Sequence, residues 1–219
     1  GFACVITPYS RDDVRALPPG AAAPTLGALD VDLRFAPPTG VGLTIDAGVV
    51  TGGGLLEHTA SEYAGALDLS IHGIAVKAYG LIDTAMPGGA PGYSFAAVIS
   101  TEFSPAVALP FGFSLQGVGG LLGIHRTIDE DAVGAALWAG HLDGILFPAD
   151  PVAAAPQLLS TLGACFPAAA GRYVVGPLVK IGWGADIVTG TVALLLELPE
   201  PLRVLLLGEV TVGVPTARP

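Results

Sequence analysis

The sequence predicts an α+β fold that is mostly β: a long, curved antiparallel meander sheet with a pair of helices inserted at about 127–139 and 156–166. Three observations predict it. Apolar and polar residues alternate with period two through much of the chain. Turn-forming clusters recur about every 10–15 residues, the spacing of successive hairpins. Helix-start chemistry is concentrated in one interlude, with strand-like runs on either side.

The early strands are amphipathic. "LDVDLRF" sets Leu29, Val31, Leu33 and Phe35 on one face and Asp30, Asp32 and Arg34 on the other. "VGLTIDAGVV" alternates through Val41, Leu43, Ile45, Ala47 and Val49, and "YAGALDLSI" through Tyr63, Leu67, Leu69 and Ile71. Such runs read as half-buried antiparallel strands. "GIAVKAYGLI", "YSFAAVISTEF", "TVALLLEL" and "LRVLLLGEV" are apolar at nearly every position, the pattern of strands covered on both faces by helices or by an apolar partner. "APPTG" (36–40), "TGGG" (51–54), "PGGAPG" (87–92) and "LPEP" (198–201) read as the turns. Residues 1–28 read as an irregular segment and 29–219 as one β-rich domain: strands over 29–126, a helical hairpin over 127–167, strands over 172–214.

Thr127 and Glu130 have the spacing of a capping box, and Asp129 and Asp131 suit the positive end of a helix dipole. The first helix is predicted to run through Ala132, Val133, Ala135, Ala136, Leu137 and Trp138 to a terminator at Gly140. Asp150 before Pro151 reads as a second cap, with the main helix starting near Pro156. Leu158, Leu159, Leu162 and Cys165–Phe166 form its apolar stripe, and Pro167 ends it.

Composition excludes several function classes. Net charge is −10 and Lys77 and Lys180 are the two lysines, so neither nucleic acid nor anionic head groups find the cations they need. Apolar residues make up 52 % and charged residues 13 %, about half the usual ~25 %. Some covered surface or an apolar face is implied. The uncharged runs 103–124 and 151–171 are broken by proline and glycine, and no ~20-residue apolar helix emerges. The helical interlude and the lack of a consistently polar lumen face disfavour an outer-membrane barrel. Cys4 and Cys165 have no metal or redox spacing, and whether they pair stays open. The chain starts without Met or a signal-peptide pattern and reads as a fragment of a longer one, its compartment open.

"GVGGLLGIHRTIDEDA" (117–132) resembles a phosphate loop only superficially. Leu122 stands where the dinucleotide pattern needs glycine, no Walker lysine follows, and three carboxylates at the helix start repel phosphate. The glycines are expected to serve a tight strand reversal and close packing. Asp129, Glu130 and Asp131 point in different directions on a helix and make a poor cation cage. His58, His72, His125 and His141 show no metal spacing, and no metal or cofactor is expected. His125–Arg126 reads as an exposed polar pair at a strand end. His141 and Asp143 in "HLDG" have the order of a relay without a serine elbow.

"GFSLQGVGGLLGIHRTIDEDAV", "GILFPADPVAAAPQLLSTL", "CFP", "GRYVVGPLVKIGWG" and "LLLELPEPLRVLLLG" together resemble a bacterial, largely actinobacterial, domain family of unknown function. That family occurs in very large β-rich proteins, sometimes encoded near contractile injection systems. The likeness is strongest over 111–208. It implies a fragment of a longer β-rich chain and carries over no catalytic residue. The recurring positions are architectural: Gly117, Gly119, Gly120, Gly123, Asp150, Pro151, Pro156, Gly182, Trp183 and Gly184.

The function expected is therefore non-enzymatic, a structural or interaction module. Its doubly apolar strands read first as core covered by the helices and neighbouring strands, which needs no ligand, and alternatively as the lining of a groove for lipid-like ligands or a partner chain. Val76, Ala78, Phe95, Ala97, Ile99, Leu194, Leu196, Leu205 and Leu207 are the expected lining. Its partners would be the rest of its own longer chain, another protein, or an acyl ligand. The alternative is a hydrolase for a hydrophobic or polysaccharide substrate, its scattered carboxylates converging in space.

Overall fold

A computed structural model describes residues 2–8, 29–35, 40–47, 50–71, 74–139, 142–184 and 187–213, with the side chains of the first 39 residues and of 142–143 left aside. The chain divides into two compact units, Gly1–Thr39 and Gly40–Pro219. In the first, β1 (Phe2–Pro8) pairs antiparallel with β2 (Leu29–Phe35), from Phe2 opposite Phe35 to Pro8 opposite Leu29. A strand thus lies in the segment read as irregular, and the units part at 39/40 rather than at 28/29. "FACVITP" is rich in β-formers, but seven residues without clear alternation are a weak signal.

The second unit is one open nine-stranded sheet in which every strand lies beside its sequence neighbours. Its strands are β3 (Gly40–Asp46), β4 (Val50–His58), β5 (Glu62–Ile71), β6 (Ile74–Ala85), β7 (Pro91–Ala108), β8 (Phe113–Arg126), β9 (Ala168–Trp183), β10 (Val188–Leu198) and β11 (Arg203–Val212). Every pairing is antiparallel. Helices α1 (Glu130–Trp138), α2 (Leu142–Leu146) and α3 (Ala155–Cys165) lie between β8 and β9, which still pair with each other. The helices are thus an insertion into one hairpin, and the meander closes up around it. Among the described residues no helix is long and apolar enough to cross a membrane.

Local details differ from the sequence reading for identifiable reasons. "VGLTIDAGVV" is two strands, not one: the chain turns where the Ala47 N–H donates to the Val50 carbonyl. "TGGG" lies inside β4, and "GVGGLLG" lies inside β8 without any reversal. Glycine serves close approach there: a Cβ on Gly53 would stand 2.9 Å from the Leu43 carbonyl oxygen, and one on Gly117 2.9 Å from the Phe147 ring. α1 is shorter than 127–139 because Asp129 is its cap, accepting from the Ala132 N–H at 3.0 Å. Thr127 is drawn away from the predicted capping box by Glu197. Asp150 caps as expected, accepting from Val152 and Ala153 on the short turn ahead of α3. α2 was not anticipated, and Gly140 lies outside the described residues.

The helices cover one face of the sheet. Leu158, Leu159 and Leu162 of α3 are buried in one core with Ala64, Ala66, Tyr79, Leu81, Ala96 and Val98 of β5–β7. Leu146 and Phe147 join them, and the Tyr79 hydroxyl donates to the Ile145 carbonyl at 2.6 Å. Three of those six strand residues are alanines, which leaves room for the leucines of α3 against the sheet. Leu162 is 1 % exposed, and its truncation to alanine would cost about 2–5 kcal/mol.

Candidate functional site

Side chains alternate between the two faces of a strand, so the registers assign every residue to the helix-covered face or to the open one. Val76 faces Thr101, Ala78 faces Ile99, and Ile82 faces Phe95, all on the open side. The same row continues through Val118 and Leu122 of β8, Val175 and Val179 of β9, and Val192 and Leu196 of β10. It ends at Val41 and Leu43 on one edge strand and at Val204, Leu206 and Val210 on the other. From β3 to β11 no charged residue stands on this face. Its polar positions within the ladders are His58, Thr101 and the tyrosines at one end, and the Thr101 hydroxyl already donates to the Ala75 carbonyl. Ile99 is 55 % exposed and Leu206 70 %.

Eight inter-strand spacings span about 38 Å, and the eight steps from Ile74 to Ile82 about 27 Å, a footprint of roughly 1,000 Å² before twist is considered. Exposed apolar patches beyond a few hundred Å² mark interaction sites in soluble proteins. Small residues deepen the face into two hollows. One, about 360 Å³, is lined by Leu56, Tyr63, Gly65, Leu67, Ala78, Gly80, Ile82, Phe95 and Ala97. The other, about 540 Å³, is lined by Ile74, Val76, Ile99, Thr101, Phe103 and Val118.

The nine residues read from the sequence as groove lining divide between the faces. Val76, Ala78, Phe95, Ala97 and Ile99 stand together on the open face and line the hollows, and Leu194 and Leu196 share that face on β10. Leu205 and Leu207 do not. They lie on the covered face, Leu207 in the core itself and Leu205 packed against it. In "LRVLLLGEV" both parities are apolar, so nothing in the run says which one looks outward. The strands read as covered on both faces are covered by helices on one.

Aromatic residues stand at both ends of the face. At one end the His58 and Tyr63 rings are 4.3 Å apart, and His125 contacts Tyr93 and Tyr173 at 5.6 and 5.7 Å. At the other, Phe113 pairs with Trp183, whose indole N–H donates to the Phe111 carbonyl. Interfacial belts of such rings flank apolar bands where one end of the ring is wet.

Charge gathers on the opposite face. Glu197 is fully buried and its carboxylate accepts from the Thr127 hydroxyl at 2.6 Å, Arg172 at 2.7 Å and the Ile128 N–H at 3.3 Å, with Arg203 at 2.8 Å. Burial pushes its pKa up, but these donors outweigh burial and hold it below the usual carboxylate value. The two arginines, from β9 and β11, thereby tie the loop before α1 to the sheet. Arg126 is not the half of an exposed pair that its strand-end position suggests: it is 2 % exposed. It is ion-paired to Asp83 and donates to the Phe166 carbonyl, and its buried Nε has no partner among the described residues. Burial lowers its pKa against the pull of Asp83 and Glu62. Glu62 faces Asp83 across β5–β6, and burial together with that neighbouring carboxylate raises its pKa. Asp83 also accepts from Ser94, and both carboxylates stand on the covered parity rather than facing either hollow. Both lysines converge on Glu102, Lys77 at 3.0 Å and Lys180 at 3.2 Å. Among the described residues no three His, Cys, Asp or Glu gather as for a metal ion. His141 and the Asp143 side chain lie outside the described residues.

A family model, described as a family of unknown function (DUF6603), matches residues 15–219. Searches of curated proteins and of solved structures gave no significant match.

Proposed function

We propose, from the premise that this chain belongs to the DUF6603 family of unknown function, that the module is a non-enzymatic holder of lipid acyl chains on its open sheet face. The carrying observation is the absence of any charged residue on that face across all nine strands. Protein interfaces of this size carry about ten direct hydrogen bonds, roughly one per 100–200 Å². Away from its rim this face offers almost no donor or acceptor, while hydrocarbon asks for none. The apolar row is also unbroken to both edge strands, so a longer sheet would extend it. The sequence resemblance to domains of very large bacterial β-rich proteins supports placing the module within such a chain.

Binding of diphenylhexatriene, a hydrocarbon fluorophore, tests this reading. The wild-type protein is expected to bind it, and Ile99→Lys, which places an ammonium beside the larger hollow, to weaken binding at least ten-fold with an unchanged melting temperature. Acyl species extracted from the purified protein by organic solvent would agree. A protein that binds no hydrocarbon and sediments as a dimer sealed through the same face would refute it.

A further inference from the structure

The polar end of the open face carries a site of its own. β8 and β9 pair Ile124 with Tyr173 and then Arg126 with Ala168, so the register slips at His125. His125 has φ +53°, a left-handed conformation that a non-glycine residue rarely holds. Simple alternation from Gly123 would send its ring to the helix-covered face. The bulge instead brings it beside Tyr93 and Tyr173, both on the open-face parity. Bulges re-aim side chains, and strained residues gather where a site needs them. The Gly171 N–H donates to Nδ1 at 2.9 Å, which makes the ring a neutral imidazole with its proton on Nε2. Among the described residues neither the Tyr93 nor the Tyr173 hydroxyl has a hydrogen-bond partner, and the two rings are 53 % and 42 % exposed. Three uncharged donors therefore stand together. They adjoin the smaller hollow, since its lining residue Phe95 faces Ile124, which faces Tyr173. The neighbouring cations are committed elsewhere, Arg126 to Asp83 and Arg172 to Glu197.

We infer that Tyr93, His125 and Tyr173 seat the uncharged, oxygen-rich head of an acyl lipid, a glyceryl ester or alcohol, whose chain lies on the open face. The inference rests on the acyl-binding reading. Charge decides the class: a carboxylate or phosphate head would meet neutral donors only, on a chain of net charge −10.

The test measures, on the intact protein, affinities for 1-oleoylglycerol, for oleate and for diphenylhexatriene, which has no head. Tyr93→Phe with Tyr173→Phe keeps both rings and removes both hydroxyls. His125→Asn keeps a residue type that tolerates positive φ. Each variant is expected to weaken 1-oleoylglycerol about five-fold or more, the worth of one lost hydrogen bond, and to leave diphenylhexatriene unchanged. Oleate is expected to bind less tightly than the glyceryl ester. Unchanged 1-oleoylglycerol affinity in the tyrosine variant, with diphenylhexatriene still bound, overturns the head seat and leaves the open-face reading standing. Tighter binding of oleate, lost in the same variants, overturns the choice of an uncharged head. Failure of diphenylhexatriene to bind the wild type overturns both readings together.

Discussion

Two adjacent glycines in β8 offer a controlled test of why this sheet is built as it is. Gly119 lies on the helix-covered parity and Gly120 on the open one. A Cβ on Gly119 would stand 2.6 Å from the Ile99 carbonyl oxygen and 3.2 Å from Ser100 Cα and Cβ. The 2.6 Å contact is with backbone in the next strand, so relief requires the β7–β8 ladder to open near its middle. A Cβ on Gly120 would meet only the Gly176 carbonyl oxygen, at 3.8 Å, which is ordinary contact. Neither glycine has a positive φ in the forbidden range, so crowding separates the two substitutions where backbone strain does not. Gly119→Ala is expected to destabilise by about 2–3 kcal/mol, the upper part of the overpacking range. Gly120→Ala is expected to be neutral or to stabilise by roughly 0.5 kcal/mol, because glycine within a strand costs conformational entropy. At about 2–4 °C per kcal/mol for a domain of this size, the melting temperatures should differ by roughly 4–14 °C. Urea titration checks the same point through the midpoint at constant m-value. A Gly119→Ala protein as stable as Gly120→Ala would refute the view that close backbone approach selects these glycines.

Glu197, Glu62 and Cys165 give further outcomes. Glu197→Ala strands Arg172 and Arg203 and unties the loop before α1, and thermal melts should show a loss of about 3 kcal/mol. Because the folded-state pKa of Glu197 is depressed, its contribution is present above its unfolded pKa and fades as pH falls through the acid range. Wild type and Glu197→Gln should therefore converge in stability on acidification. Glu62 has the opposite sign: its folded pKa is raised, so its contribution is present below its unfolded pKa and lost as pH rises through the folded value. Glu62→Gln should raise the melting temperature at neutral pH relative to wild type and lose that advantage below about pH 4.5. Burial pushes the Cys165 thiol up to about 11. In a Cys4→Ser background at pH 8, a thiol reagent should label it at least a hundred-fold more slowly in native protein than in urea, and rapid native labelling would contradict its burial.

Much of the architecture was legible in the residues because it depends on short-range rules. Period two marked β5 nearly to its ends, "LPEP" marked the β10–β11 turn, and the apolar stripe of α3 lay where its leucines are. The errors came where a long-range contact outweighs a local one. "TGGG" and "GVGGLLG" carry turn composition, yet those glycines are held extended because a neighbouring strand or Phe147 occupies the space of a Cβ. Thr127 has a capping-box partner three residues on, but a carboxylate seventy residues away takes its hydroxyl. His125–Arg126 looked like an exposed pair because nothing local shows that Asp83 and Phe166 enclose the arginine. The glycine to Nδ1 bond and the bulge that aim His125 likewise carry no sequence signature.

The sequence by itself determined that the chain would form a mostly antiparallel sheet with one helical insertion and that its strands would be unusually apolar. Hydropathy period and composition are properties of neighbouring residues, and they survive whatever the rest of the chain does. Only the tertiary structure decided which parity of each apolar strand the helices cover, and so placed Leu207 in the core and Ile99 on an open face. In a strand apolar at every position both faces are equally fit for burial, and the choice falls to whichever face the inserted helices reach.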